Sequence, residues 1–60
     1  MSDFFQPSKV DQIAEVKRGI ALRERVYPKW VEAGRLKQDK ADRQLAIMRA
    51  VLATLESTLR

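Results

Sequence analysis

The strongest helical signal in the chain lies in the segment ADRQLAIMRAVLATLESTL, residues 41–59. Its large apolar side chains recur at alternating spacings of four and three residues, which places them along one side of an α-helix. Neither Gly nor Pro interrupts residues 37–60. The pattern predicts a helix over about residues 38–59. Its inward seam would consist of Ala41, Leu45, Met48, Leu52, Leu55 and Leu59, widened to a core-facing stripe by Ile47 and Val51.

A second helical pattern precedes this segment and begins after Ser8. Asp11 follows Ser8 at the spacing where a serine hydroxyl caps a helix start and a carboxylate favours its positive end. The apolar periodicity predicts a helix over about residues 9–26, with Lys17 and Glu24 interrupting its inner stripe. That stripe would face the last helix and contain Val10, Ile13, Val16, Ile20 and Tyr27.

Another apolar line runs along roughly the opposite side of this first helix. It passes through Leu22, Val26 and Trp30 at spacings of four residues, and Gly19 lies on the same line. The glycine has two interpretations. Either it permits close approach of another backbone, or it is a tolerated defect that costs the helix about 1 kcal/mol.

Pro28 marks the expected end of the first helix. Its ring clashes with the preceding helical turn, and it has no N–H to donate. Proline also suits the first position of a new helix, and Gly34 lies where a left-handed cap fits. We therefore predict a short elbow helix over about residues 28–33, followed by a connection. The alternative is one continuous, kinked helix over residues 9–33.

These elements predict an all-α fold, a two-helix antiparallel hairpin. Residues 8–60 would form the single domain, after a flexible arm over residues 1–7. Within the arm, Phe4 and Phe5 either fold back onto the core edge or anchor a partner.

Such a small hairpin is expected to need stabilisation beyond its own core. A chain of 60 residues buries only about 60% of its unfolded surface, and this one has no Cys for disulfides. Small scaffolds of this kind usually oligomerise. We therefore expect a homodimer in which two hairpins form a four-helix bundle, with a monomer or a complex with another protein as the alternatives.

The composition argues against catalysis. The chain contains neither Cys nor His, which excludes thiol and imidazole chemistry and the usual zinc ligands. Asp39 and Asp42 sit among basic residues and are better interpreted as charge at a helix start. No phosphate-binding glycine motif or nucleophile motif occurs. We predict a non-enzymatic protein with no cofactor, metal or small-molecule substrate.

The chain also lacks features of a membrane protein. There is no run of 18 apolar residues, and the first residues do not resemble a signal peptide. The last helix has coiled-coil spacing and few lysines on its polar side, which is a poor match to a membrane-surface helix. These observations predict a cytoplasmic location without a membrane partner.

The aromatic cluster YPKW at residues 27–30 is the best candidate for a binding site. It is either a packed elbow or a partner hot spot, because Trp, Tyr and Arg dominate the energy of protein interfaces. Both readings hold if the elbow lies at the rim of a dimer. The predicted partner contacts are Arg23, Arg25, Tyr27, Trp30 and Arg35.

Nucleic acid is the alternative partner. The net charge is +4, and nine basic residues lie between positions 17 and 43 with aromatic residues among them. The basic residues point around the whole helix, however, and Trp30 stands where a helix-turn-helix pivoting on Gly34 needs a small residue. Under this alternative the contacts would be Arg18, Arg25, Lys29, Arg35 and Arg43.

The segment RVYPKWVEAGR at residues 25–35, followed by ADR at 41–43 and an apolar helix, resembles a group of short proteins encoded by tailed bacteriophages and prophages. The resemblance covers about residues 20–55. Many of those proteins have Thr before two Glu at the start of the last helix. KQDK at residues 37–40 stands there in this chain, so we expect no side-chain cap.

What the resemblance implies is a bacterial host and an accessory role in its cytoplasm. Short phage proteins of this kind commonly bind a host or phage macromolecule and modulate it, often as inhibitors, rather than catalyse a reaction. A structural piece of a larger phage assembly is a further alternative.

Overall fold

A computed structural model describes residues 7–59 of the chain. It contains two helices, α1 over Lys9–Glu32 and α2 over Gln38–Ser57, and this described part holds no strand. The helices pair in reverse order along the chain. Lys17 contacts Glu56, Glu24 contacts Arg49 and Tyr27 contacts Gln44. The predicted all-α antiparallel hairpin is confirmed, whereas the predicted positions of Phe4 and Phe5 fall outside the described residues.

The start of α1 carries the predicted cap. Ser8 has extended backbone angles, and its hydroxyl accepts a hydrogen bond from the Asp11 N–H at 3.1 Å. The Asp11 carboxylate in turn accepts from the Ser8 N–H at 3.4 Å. This reciprocal pair satisfies two backbone donors that a helix start leaves without partners, and so fixes where α1 begins.

Pro28 lies inside α1 and does not end it. The predicted separate elbow helix over residues 28–33 is therefore wrong, and the continuous helix is the correct alternative. A proline removes only one backbone hydrogen bond, and here packing holds the helix on both sides of it. Tyr27 is buried against α2 and Val31 is half-buried one turn later.

The turn after α1 depends on Gly34, whose φ is +77°. This left-handed conformation lets the Arg35 and Leu36 N–H groups turn back to the Trp30 carbonyl, at 2.8 and 3.3 Å. The next helix then begins after Lys37, which is extended and makes no side-chain cap. The expected absence of that cap is confirmed.

The hairpin core is small. Only Ile13, Ile20, Tyr27 and Ala41 are buried among residues 7–59. The large apolar side chains that are half-buried are Val16, Val26, Val31, Leu36, Leu45, Met48, Leu52 and Leu55. The inner stripes of the two helices therefore pack largely as their spacing predicts.

Four predicted core residues are exposed instead. Ile47 and Val51, which were expected to widen the stripe of α2, are 52% and 42% exposed because they lie on the side of α2 that turns away from α1. Val10 is 64% exposed because α1 extends past the end of α2 at this point. Lys17 already pairs with Glu56 in the last turn of α2, and Val10 lies nearly two turns before Lys17. Leu59 is 51% exposed because α2 ends at Ser57 and the chain leaves the helix there. The prediction that these four residues belong to the packed stripe is wrong for the hairpin.

Candidate interaction surfaces

One face of the hairpin is closed by ion pairs between the helices. Lys17 contacts Glu56 at 3.8 Å, and Arg49 donates to the Glu24 carboxylate. We call these four residues the ion-paired face. Lys17 and Glu24 interrupt the inner stripe in the sequence because they lie at its edge. The sequence analysis missed one signal for these pairs. Lys17 and Glu24 are seven residues apart, and so are the oppositely charged Arg49 and Glu56 on α2.

The other side of the hairpin is apolar, and shallow grooves run along it. One groove is lined by Val16, Val51 and Leu55, and the next, which shares Val16, continues past Gly19 and Leu22. These grooves connect because they share lining residues. The apolar face, as we define it, consists of Val16, Gly19, Leu22, Val26, Ile47, Met48, Val51 and Leu55.

Several large side chains on the apolar face are open to solvent. Leu22 is 40% exposed, Val51 42% and Ile47 52%. Single exposed apolar residues are common on protein surfaces, but a continuous patch indicates an interaction site. The ion-paired face has no equivalent, because its long side chains span the gap between the helices.

Gly19 lies on this face beneath the side chain of Arg23. The Arg23 guanidinium donates through Nη1 to the Gly19 carbonyl at 3.0 Å. A Cβ atom at position 19 would meet that nitrogen at 2.8 Å and the Met48 Cε at 3.6 Å. The glycine thus leaves space for Arg23, a predicted partner contact, to lie across the helix.

The two aromatic residues near the turn have different roles. Tyr27 is only 7% exposed, and its hydroxyl donates to the Gln44 Oε1 at 2.7 Å. Trp30 is 44% exposed, and its ring centre lies 5.7 Å from that of Tyr27. The prediction that Tyr27 contacts a partner is wrong for the folded hairpin, where it is part of the core, and Trp30 is the aromatic side chain left on the surface.

The end of the hairpin around the turn, residues 25–43, is basic, and we call it the elbow end. It contains three acidic residues, of which Asp39 accepts from the Lys40 N–H and Asp42 accepts from the Gln38 side chain, both at 2.9 Å. The ion pairs found within residues 7–59 all lie outside it. Its exposed basic residues are Arg25, Lys29, Arg35, Lys37, Lys40 and Arg43.

Arg18 is separated from these residues and has a partner of its own. Its Nε donates to both carboxylate oxygens of Glu15, at 3.1 and 3.2 Å. This hydrogen bond and the charge attraction lower the pKa of Glu15 and raise the pKa of Arg18. Both side chains are exposed to solvent, so the pair is a surface contact along α1. Of the five predicted nucleic-acid contacts, only Arg25, Lys29, Arg35 and Arg43 share the elbow end.

Within residues 7–59, no three acidic, His or Cys side chains come close enough together to hold a metal ion. Over the same residues, neither α1 nor α2 has the length and apolar composition that crossing a membrane requires.

Comparison with known proteins adds no relative. No protein-family model, curated protein or solved structure matches this chain.

Proposed function

We propose that this chain is a non-enzymatic binding protein that docks its elbow end on an acidic surface of a protein target and alters the target's activity. The observation that carries the proposal is the exposure of Trp30 at the end of the hairpin whose basic side chains form no ion pair within residues 7–59. Tryptophan and arginine are enriched among the residues that dominate interface energy. Unpaired basic charge steers an acidic partner toward the same surface.

The resemblance of residues 25–35 to short phage and prophage proteins supports a biological setting for this activity. On that basis we place the protein in the cytoplasm of a bacterial host, where it acts as a homodimer and inhibits or redirects a host protein. The phage setting rests on the sequence resemblance, whereas the docking surface rests on Trp30 and its basic neighbours.

Nucleic acid is the second candidate partner, and the charge of the elbow end favours it. Six basic residues and an exposed indole ring are suited to phosphate contacts and base stacking. Salt distinguishes the two partners. Phosphate contacts make the logarithm of the affinity fall by about 0.9 per neutralised phosphate for each tenfold rise in salt. Binding centred on Trp30 should depend much less on salt.

The test is affinity capture from a bacterial lysate, with and without nuclease. Trp30→Ala should abolish capture of the target, while Val10→Ala should retain it, because Val10 is an exposed apolar residue at the other end of α1. Arg35→Glu should also weaken capture, and because Arg35 is exposed in the turn the change should leave the fold intact. Circular dichroism of each variant checks that the helices persist.

The results separate the two candidates. A bacterial protein that survives nuclease and is lost only with the elbow variants supports a protein target. Recovery of nucleic acid alone, or of proteins lost on nuclease treatment, overturns that proposal in favour of the second candidate. Equal capture by Trp30→Ala and the unchanged protein excludes the elbow end as the docking surface.

A further inference from the structure

We infer that the apolar face binds a second copy of this chain, in an antiparallel arrangement in which α1 crosses the α1 of the second copy at Gly19. The two hairpins would stack face to face as a four-helix bundle. The inference specifies the geometry of the dimer. The crossing point lies about 16 Å along α1 from Trp30 at 1.5 Å per residue, although Trp30 shares a groove with Leu22 and Val26 of the apolar face.

The groove around Gly19 has the symmetry that a two-fold dimer requires. Val16 and Leu22 lie three residues on either side of Gly19, and Glu15 and Arg23 lie four residues on either side, all lining this groove. In a two-fold interface, a contact from residue i to residue j is repeated from j to i. An antiparallel crossing at Gly19 therefore pairs apolar with apolar and acid with base.

Helix α2 repeats this arrangement around Val51. A groove on the apolar face is lined by Ile47, Val51 and Leu55, which are spaced by four residues. Val51 and Val16 line one common groove, so Val51 lies at nearly the same height as Gly19 along the hairpin. One two-fold axis can then pass near both. Val51 would contact Val51 of the second copy, and Ile47 would contact Leu55 of the second copy.

The order of charges favours a second copy over an unrelated partner. Glu15, which pairs with Arg18 in the same groove, and Arg23 lie on opposite sides of the crossing, and the same face turned around presents these charges in the reverse order. The Arg23 side chain covers Gly19, so Arg23 itself would contact the second copy at the crossing. The Arg23 guanidinium, now bonded to the Gly19 carbonyl, lies within reach of a carboxylate placed above it.

The inference is tested by cysteine cross-linking, since the chain has no Cys of its own. Val51→Cys places a thiol next to its copy at the two-fold axis, where the Cα atoms can come within the roughly 4.4–6.8 Å that a disulfide needs. Ala53→Cys is the matched control, because residue 53 is exposed and lies about 200° around α2 from residue 51. With oxidised glutathione as oxidant, Val51→Cys should form a covalent dimer at least about tenfold faster than Ala53→Cys.

Charge reversal supplies a second readout that does not rely on the new thiol. Glu15→Arg or Arg23→Glu should each raise the dimer dissociation constant about tenfold, measured by sedimentation equilibrium, and the double variant should restore it. Glu15→Arg also breaks the pair between Glu15 and Arg18. Arg18→Gln is the control, because it breaks the same pair but keeps the Glu15 and Arg23 charges, and it should not raise the dissociation constant.

Several outcomes would overturn the inference. The unchanged protein could sediment as a monomer at all concentrations, or the two cysteine variants could cross-link at equal rates. A double charge variant weaker than either single variant would exclude the antiparallel crossing at Gly19. Loss of target capture by Trp30→Ala with unchanged sedimentation would concern the elbow end alone.

Discussion

Gly34 determines how the chain leaves α1, because its φ of +77° lies where residues with a Cβ are strained. A Cβ at this position would meet no atom within 4 Å, so the cost of a side chain comes from the backbone alone. We expect Gly34→Ala to lower the free energy of unfolding by about 1 kcal/mol, measured by urea denaturation. Gly34→Asn should cost less, since asparagine tolerates this conformation, and equal stability of all three proteins would contradict the prediction.

Individual residues also show what sequence periodicity can and cannot provide. The 100° spacing placed Tyr27 on the inner stripe and Trp30 on the other line, which agrees with one buried ring and one exposed ring. It did not identify Gln44 as the partner of the Tyr27 hydroxyl. That contact depends on which turns of two distant helices lie side by side, and no local pattern specifies it.

At the scale of the helices, Pro28 is the clearest conflict between local preference and tertiary packing. Proline lacks the N–H that would bond the Glu24 carbonyl, yet α1 continues to Glu32. We expect Pro28→Ala to raise the free energy of unfolding by about 1–3 kcal/mol, because alanine restores that bond and favours the helix. Chemical denaturation measures the gain. Pro7→Ala, before the helix begins, is the control and should change little.

A Pro28→Ala variant that is no more stable than the unchanged protein would mean that the proline ring contributes to the packing of α1.

The ends of the helices also depend on tertiary packing. The register of α2 follows from its heptad spacing, but its end at Ser57 and the exposure of Val10 do not. Both depend on how far each helix extends past the other, which is a property of the assembled pair.

The hairpin has two different faces, and the sequence predicted the apolar face but not the ion-paired face. The apolar line through Leu22 and Val26 was visible in the sequence, as was Trp30 at its end. The ion-paired face was not, because Lys17 and Glu24 appear only as interruptions until their partners on α2 are known. The elbow end was predicted in part. Its exposed Trp30, Arg25 and Arg35 were among the predicted partner contacts. Tyr27 was predicted as well, but it is buried in the hairpin core.

The small core leads to a prediction about the whole molecule. Only four side chains are buried among residues 7–59, so a second copy on the apolar face should supply much of the stability. Association that binds only the folded chain makes unfolding depend on concentration. The thermal midpoint, followed by circular dichroism, should rise by roughly 5–10 °C over about a hundredfold increase in protein concentration.

Val51→Glu should remove this concentration dependence, because it places two carboxylates against each other at the proposed two-fold axis and leaves them without water. Ala53→Glu adds the same charge on the other side of α2 and should keep the dependence. A midpoint that is independent of concentration in the unchanged protein would mean that the hairpin folds alone. Its stability would then come from the two helices and the ion pairs between them, and the apolar face would be free for a different partner.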